Sequence, residues 1–175
     1  GDYDGYVVKV DTAGTEIWSR TFGTSDWDFL KNAELLDDGS IVACGFTYGD
    51  SSVHADGYAV RFDPAGNVIW SFHTGNSGDD AFNDVLLLDD TLFFSGYVSD
   101  ISSGMRSGWM LKASKDDGSM LDSAMYQLAP GMQFNAIEAD AAGVAFVGSE
   151  EDTVHQRVNP LWGAVNRDLS FAWRG

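Results

Sequence analysis

Carboxylates dominate the chemistry available to this chain of 175 residues, with 27 Asp and Glu against 10 Lys and Arg. Two short acidic loops stand out. Asp26 and Asp28 lie in residues 24–28, Asp79 and Asp80 in residues 76–80, each pair set among Ser, Asn, Thr or Gly. Paired carboxylates in such company could hold Ca2+, a hard cation that takes six to eight oxygens. The D-x-D-x-D-G order of a dedicated calcium loop is missing, and Asp-Gly clusters also build turns through side chain to backbone hydrogen bonds. The expectation is therefore no catalytic residue, no cofactor and no metal ligand, with Ca2+ at Asp26, Asp28, Asp79 and Asp80 as the alternative.

The other reactive types are sparse. His54, His73 and His155 show no HxH or HxxxH spacing of the kind that binds a transition metal, and they are expected at surfaces or rims. Cys44 stands alone, so no intrachain disulfide can form. A net charge of −17 repels phosphate backbones and anionic headgroups, which argues against nucleic-acid and membrane-surface roles. No apolar run approaches the ~18 residues a membrane-spanning helix needs.

What would position these groups is a repeat. Asp4–Gly23 (DGYVVKVDTAGTEIWSRTFG) lies on Asp56–Gly75 (DGYAVRFDPAGNVIWSFHTG) with Gly5 on Gly57, Asp11 on Asp63, Gly14 on Gly66 and Trp18 on Trp70. A third copy runs through Gly108-Trp109-Met110-Leu111-Lys112, with Leu121 aligned to Trp70 and Ser114 in the place of the turn Asp. A fourth begins near Trp162 and brings Trp173 to the Trp position after a turn read as two residues shorter. Cys44 corresponds to Ser95 and Val147, so a small buried filler is expected there. Lys9, Arg61 and Lys112 recur at one phase and are expected to pair with acidic neighbours. Asp11, Asp63, Gly14 and Gly66 are expected to shape turns, Asp by accepting N–H bonds and Gly by supplying positive φ.

Within each copy, short alternating runs separated by turn residues predict four antiparallel strands, closing on an Asp-Asp-Gly hairpin at 37–39. Four strands per ~50 residues, repeated in tandem, predict an all-β fold of β-propeller type. The units are expected at 4–47, 56–98 and 107–149, three full blades, with half of a fourth at 162–175. Trp18 and Trp70 should be wedged between blades. The half-blade would leave Trp173 short of a complete sheet and the outer face of the first blade without a neighbour. Further residues of the same polypeptide are the expected completion, in preference to a second copy.

The run D-G-[FY]-[VL]-x-K-x-D-x-x-G-x-x-x-W resembles the blade repeat of secreted bacterial and archaeal β-propellers, closely in the first two copies and loosely in the third. The resemblance implies a structural or ligand- and protein-binding module of a secreted or cell-surface protein. Its partners would be protein, carbohydrate or further blades. The alternative is an enzyme, glycosidase, lyase or quinoprotein-like, with its site at the channel mouth. An enzyme should gather non-repeating polar residues on one face, and the off-pattern residues here are His54, Arg106, Glu150, Glu151, His155 and Arg157.

Overall fold

The computed structural model describes residues 3–49 and 53–175, all of whose regular elements are strands. They are β1 (Gly5–Val10), β2 (Glu16–Phe22), β3 (Asp28–Leu35), β4 (Ile41–Thr47), β5 (Asp56–Phe62), β6 (Val68–Thr74) and β7 (Ala81–Leu88). The second half continues with β8 (Thr91–Ser99), β9 (Arg106–Ser114), β10 (Met120–Tyr126), β11 (Gln133–Ala139), β12 (Gly143–Asp152), β13 (Arg157–Asn166) and β14 (Phe171–Arg174). The turns between them follow from local chemistry. Asp11 Oδ1 accepts the N–H groups of Ala13 and Thr15, Asp63 Oδ1 those of Ala65 and Asn67. Gly14 and Gly66 complete these turns at φ of 81° and 84°. The β7–β8 hairpin lacks the glycine found at Gly39; Asp89 and Asp90 occupy the left-handed region instead, as a two-residue turn with strand-compatible twist demands.

Pairing joins the strands into meanders of order β3-β4-β5-β6, β7-β8-β9-β10 and β11-β12-β13-β14, with β1-β2 as a two-stranded sheet. Sheet and sequence repeat are thus out of phase by two strands. Each expected unit (4–47, 56–98, 107–149) is divided between two sheets, because the fourth strand of one repeat zips onto the first strand of the next. β4 and β5 pair without interruption from Ile41↔Phe62 to Thr47↔Asp56. The half-unit expected at 162–175 is corrected accordingly: β13 and β14 complete a full sheet, and the two-stranded sheet is β1-β2.

Two local registers also differ from the sequence alignment. The fourth turn, Asn166–Ser170, has the length of Asp63–Asn67, with Asn166 in the Asp place, so nothing is shortened. The third turn is one residue longer, since Ser114 N–H bonds to Ser119 O where Asp63 N–H bonds to Asn67 O. That extra residue moves Asp122, rather than Leu121, opposite Lys112, the station where Trp70 faces Arg61. Leu121 accordingly points to solvent.

Three apolar layers fill the spaces between successive sheets. Trp18, Ala43, Val60 and Phe62 form the first; Val42, Cys44, Trp70, Phe82, Phe94, Trp109 and Leu111 lie in the second; Met110, Tyr126, Phe134, Phe146 and Val165 lie in the third. Trp18 and Trp70 are buried at 6% and 9% exposure, as expected of inter-sheet wedges. β3, β7 and β11 carry a bulge at the same place, and there Asp84 ties three sheets together. Its Oδ1 accepts from the Asn32 amide at 2.5 Å and its Oδ2 from Ile137 N–H at 2.7 Å.

Candidate functional site

The antiparallel registers bring every loop that follows an outer strand, and every loop that enters a third strand, to one end of the stack. Loops 23–27, 75–80 and 127–132 meet loops 48–49, 53–55, 100–105 and 153–156 there. Each of the off-pattern polar residues lies at this end, which gathers what the sequence leaves scattered.

The centre of this end is a row of aromatic rings with two cations threaded into it. Tyr3 meets Trp27 edge-on at 5.5 Å, Trp27 meets Tyr48 at 6.0 Å, and Phe29 stacks on Phe46 at 4.9 Å. Tyr3, Trp27 and Phe29 are 60%, 44% and 36% exposed, so the cluster faces solvent. Lys31 Nζ then sits 5.2 Å from the Phe46 ring and 5.5 Å from the Tyr97 ring. The Arg106 guanidinium lies over the same Tyr97 ring at 3.9 Å. Hydrogen bonds hold both cations in place, Lys31 to Asn83 Oδ1 at 2.7 Å and Arg106 to Gln133 Oε1 at 2.7 Å. Asn83 is fixed in turn by donating to Phe134 O. Burial, followed by the like charge of Arg106, holds the Lys31 ammonium below the usual lysine range. The row ends in a polar groove of about 470 Å3 lined by Gly104, Arg106, Gly131, Gln133, Ser149, Glu151 and Val158.

Two clustered cations flanked by exposed rings can bind an anionic or π-rich surface, and Tyr, Trp and Arg are the side chains that most often carry binding energy. Sequence reasoning passed over this row. Its signal was the pair of alternating aromatics Trp27-x-Phe29 and Phe46-x-Tyr48, of which the second copy retains only Tyr97, in register with Phe46.

The acidic candidates take a different part. Asp28 is buried and its Oδ2 accepts the Thr24 N–H at 2.6 Å and hydroxyl at 3.1 Å. Asp80 is buried and accepts from Asn76 N–H and, at 2.8 Å, from Ser99 N–H. Its pKa is raised, first by burial, with the loop amides opposing. Asp79 accepts from Ala55 N–H at 3.0 Å, and the Asp26 N–H donates to Thr24 Oγ1. In the third unit Met132 takes the station of Asp28 and Asp80, its N–H bonded to Arg106 O as theirs are to Tyr3 O and Ala55 O. These carboxylates organise loops. Among the described residues no group of three or more His, Cys, Asp or Glu is arranged to hold a metal ion.

The histidines come together in no constellation. His54 lies 3.4 Å from Asp79, His73 3.0 Å from Asp56 and His155 2.8 Å from Asp152, each with its own acid. Arg157 shares Asp152, and Arg174 bridges to Glu150. The recurring cations bind at the opposite end: Arg61 reaches Asp38 Oδ2, Ser40 Oγ and Lys115 O, while Lys9 donates to Gly39 O. Lys112 lies 3.9 Å from Asp122 and donates to Arg167 O. Cys44 is fully buried and burial pushes its thiol far above the usual range. A thiol-specific reagent such as DTNB should leave native protein untouched and titrate one thiol after denaturation; prompt reaction of the folded chain would contradict the buried-filler role.

No family model matches this chain, and no curated protein matches it. Among solved structures it is similar to Drosophila Semaphorin 1b, extracellular domains 1–2, at 13% identity and a TM-score of 0.58. It is also similar to Drosophila Plexin A in complex with Semaphorin 1b, at 15% identity and a TM-score of 0.59. Each alignment covers 98% of this chain and 38% of the other, so the chain spans well under half the length of those proteins. At this identity the likeness is one of fold: stacked four-stranded antiparallel sheets.

Proposed function

We propose that this chain is an arc of a β-propeller from a secreted or cell-surface protein, and that it binds another protein through the aromatic and cationic row at its loop end. The observation that carries the reading is the run Trp27–Phe29–Phe46–Lys31–Tyr97–Arg106, in which exposed Trp27 and Phe29 continue into half-buried Phe46 and Tyr97 beside two positive charges, in a protein of net charge −17. Exposed aromatic surface costs solubility and has no packing purpose in a monomer, so its presence points to a partner. The charges select an acidic segment on that partner. The scaffold's own carboxylates surround the row and disfavour binding of acidic surfaces elsewhere, which restricts register. The fold likeness to extracellular domains of a semaphorin, and to a plexin in complex with a semaphorin, supports the extracellular, protein-binding reading. So does the resemblance of the repeat to secreted propellers of bacteria and archaea.

Selection from a displayed random-peptide library on the immobilised chain tests this. Enriched peptides should carry Asp or Glu beside aromatic residues, and should lose at least about tenfold in affinity to Trp27→Ala and to Arg106→Ala while both variants melt like wild type. Enrichment indifferent to both substitutions, or failure of any peptide to enrich, would sink the reading.

A further inference from the structure

Most cations of this chain are neutralised by a carboxylate: Arg61 by Asp38, Lys115 by Asp90, Arg157 by Asp152, Arg167 by Asp89 and Arg174 by Glu150. Lys31 and Arg106 are treated differently. No carboxylate of a described residue lies within ion-pair distance of either, although the protein carries 27 acidic side chains. Their partners are neutral amides, Asn83 Oδ1 for Lys31 and Gln133 Oε1 for Arg106. Those amides are themselves held, Asn83 by donating to Phe134 O at 2.6 Å and Gln133 by donating to Asn135 Oδ1 at 3.0 Å.

Both cations gather on one ring. Lys31 Nζ lies 5.5 Å and the Arg106 guanidinium carbon 3.9 Å from the centre of Tyr97, close enough for the two charges to repel. Like charges fixed side by side cost energy that a neighbouring Asp or Glu would remove, and an incoming anion removes it instead. Their donor capacity is mostly unspent. Lysine has three N–H donors and arginine five, and each of these side chains gives one to the described residues. Both are exposed. They stand on β3 and β9, in the two four-stranded sheets that are packed on either side by other sheets of the chain.

We infer, on the protein-binding reading, that Lys31 and Arg106 together bind a tetrahedral oxyanion carried on an aromatic ring, the sulfate or phosphate monoester of a tyrosine in the partner. A carboxylate brings one charge and two coplanar oxygens, enough for one of these cations. A tyrosine monoester brings three terminal oxygens directed apart, and its phosphate form carries about 1.5–2 negative charges at pH 7, so one group reaches both cations. The ring that bears it lies along Phe46, Phe29 and Trp27, which continue the row from Lys31.

Titration calorimetry tests it with the pentapeptide Gly-Glu-Tyr-Trp-Gly, its tyrosine free, sulfated or phosphorylated, and with phenyl sulfate and phenyl phosphate as carriers of the ester alone. At least one esterified peptide should bind at least about tenfold tighter than the free form, and the tighter of the two names the source of the oxyanion. Lys31→Gln and Arg106→Gln should each remove most of that gain. Gln133→Glu, which leaves Arg106 in place and hands it a counterion, should do the same without deleting a cation. Trp27→Ala should weaken all three peptides alike and leave the gain from esterification intact. Equal affinity of the three peptides, or a gain that survives the charge substitutions, would overturn the inference and leave the protein-binding reading standing. Phenyl esters held by Lys31 and Arg106 while no peptide binds would sink that reading and keep the oxyanion site. Failure of every peptide and both phenyl esters would remove both, and tighter binding of a sulfated disaccharide than of either esterified peptide would overturn the aromatic carrier.

Discussion

Trp70→Ala should lower the unfolding free energy by about 3–5 kcal/mol, read from urea denaturation at a concentration where the chain is monomeric. The indole is 9% exposed and lies in the layer shared by Cys44, Phe82, Phe94 and Trp109, stacked 5.8 Å from Phe72. Truncation loses that transfer energy and leaves a cavity between two sheets that are held apart by their own backbone pairing. Loss of the bond to Lys115 O adds little, because Arg61 also donates to that oxygen at 2.6 Å. Trp173→Ala is the control. The same residue type in the same strand position is 53% exposed, and its removal should cost no more than about 0.5 kcal/mol. Equal losses at the two positions would show that the inter-sheet layer is not what makes Trp70 matter.

Gly118→Val should cost about 2–4 kcal/mol, whereas Gly14→Val should cost about 1–2 kcal/mol. Both glycines close turns at positive φ, 72° and 81°, so both variants carry the same backbone strain. Only at Gly118 does the new side chain also collide, since its Cβ would lie 2.9 Å from Trp70 Cδ2. The difference between the two variants, measured by denaturant unfolding, isolates the indole contact. The fourth turn shows how the fold can do without it: Leu169 sits in the glycine's station at φ of 63°, buries its own side chain, and accepts the Tyr126 hydroxyl at 2.6 Å. Asp122 stands where the Trp would be, so a side chain from the turn replaces one from the strand. Should Gly118→Val prove no worse than Gly14→Val, the turn glycines would be serving conformation alone.

Short-range chemistry explains why so much of the architecture was legible. A turn such as Asp63–Asn67 is closed by its own side chain and its own glycine, and alternating apolar residues can only form strands that bury one face. Trp18 and Trp70 recur at one phase because every inter-sheet layer needs bulk at that height. Registers failed where a single inserted residue changed the count: the longer turn after Ser114 exchanged Leu121 for Asp122, and nothing in the identity of either residue announces it. The aromatic and cationic row was invisible for another reason. Phe29, Lys31, Phe46, Tyr97 and Arg106 belong to β3, β4, β8 and β9, and they meet only after two sheets have stacked.

Residues a few positions apart fix the strands, the first two Asp-Gly turns, the period of the repeat and the burial of Trp18 and Trp70, and all of these can be read from the sequence. Tertiary structure alone decided where one sheet stops and the next begins. A tandem repeat has a period and no starting point, so its strands could be grouped in either phase; the uninterrupted ladder from Ile41↔Phe62 to Thr47↔Asp56 joins successive repeats into one sheet. That choice places the two-stranded sheet at β1-β2, leaves Trp173 on a complete sheet with its indole in water, and brings the off-pattern loops to a common end. Hydrogen bonding between strands from different repeats is a long-range interaction, and it is settled only when the whole stack has formed.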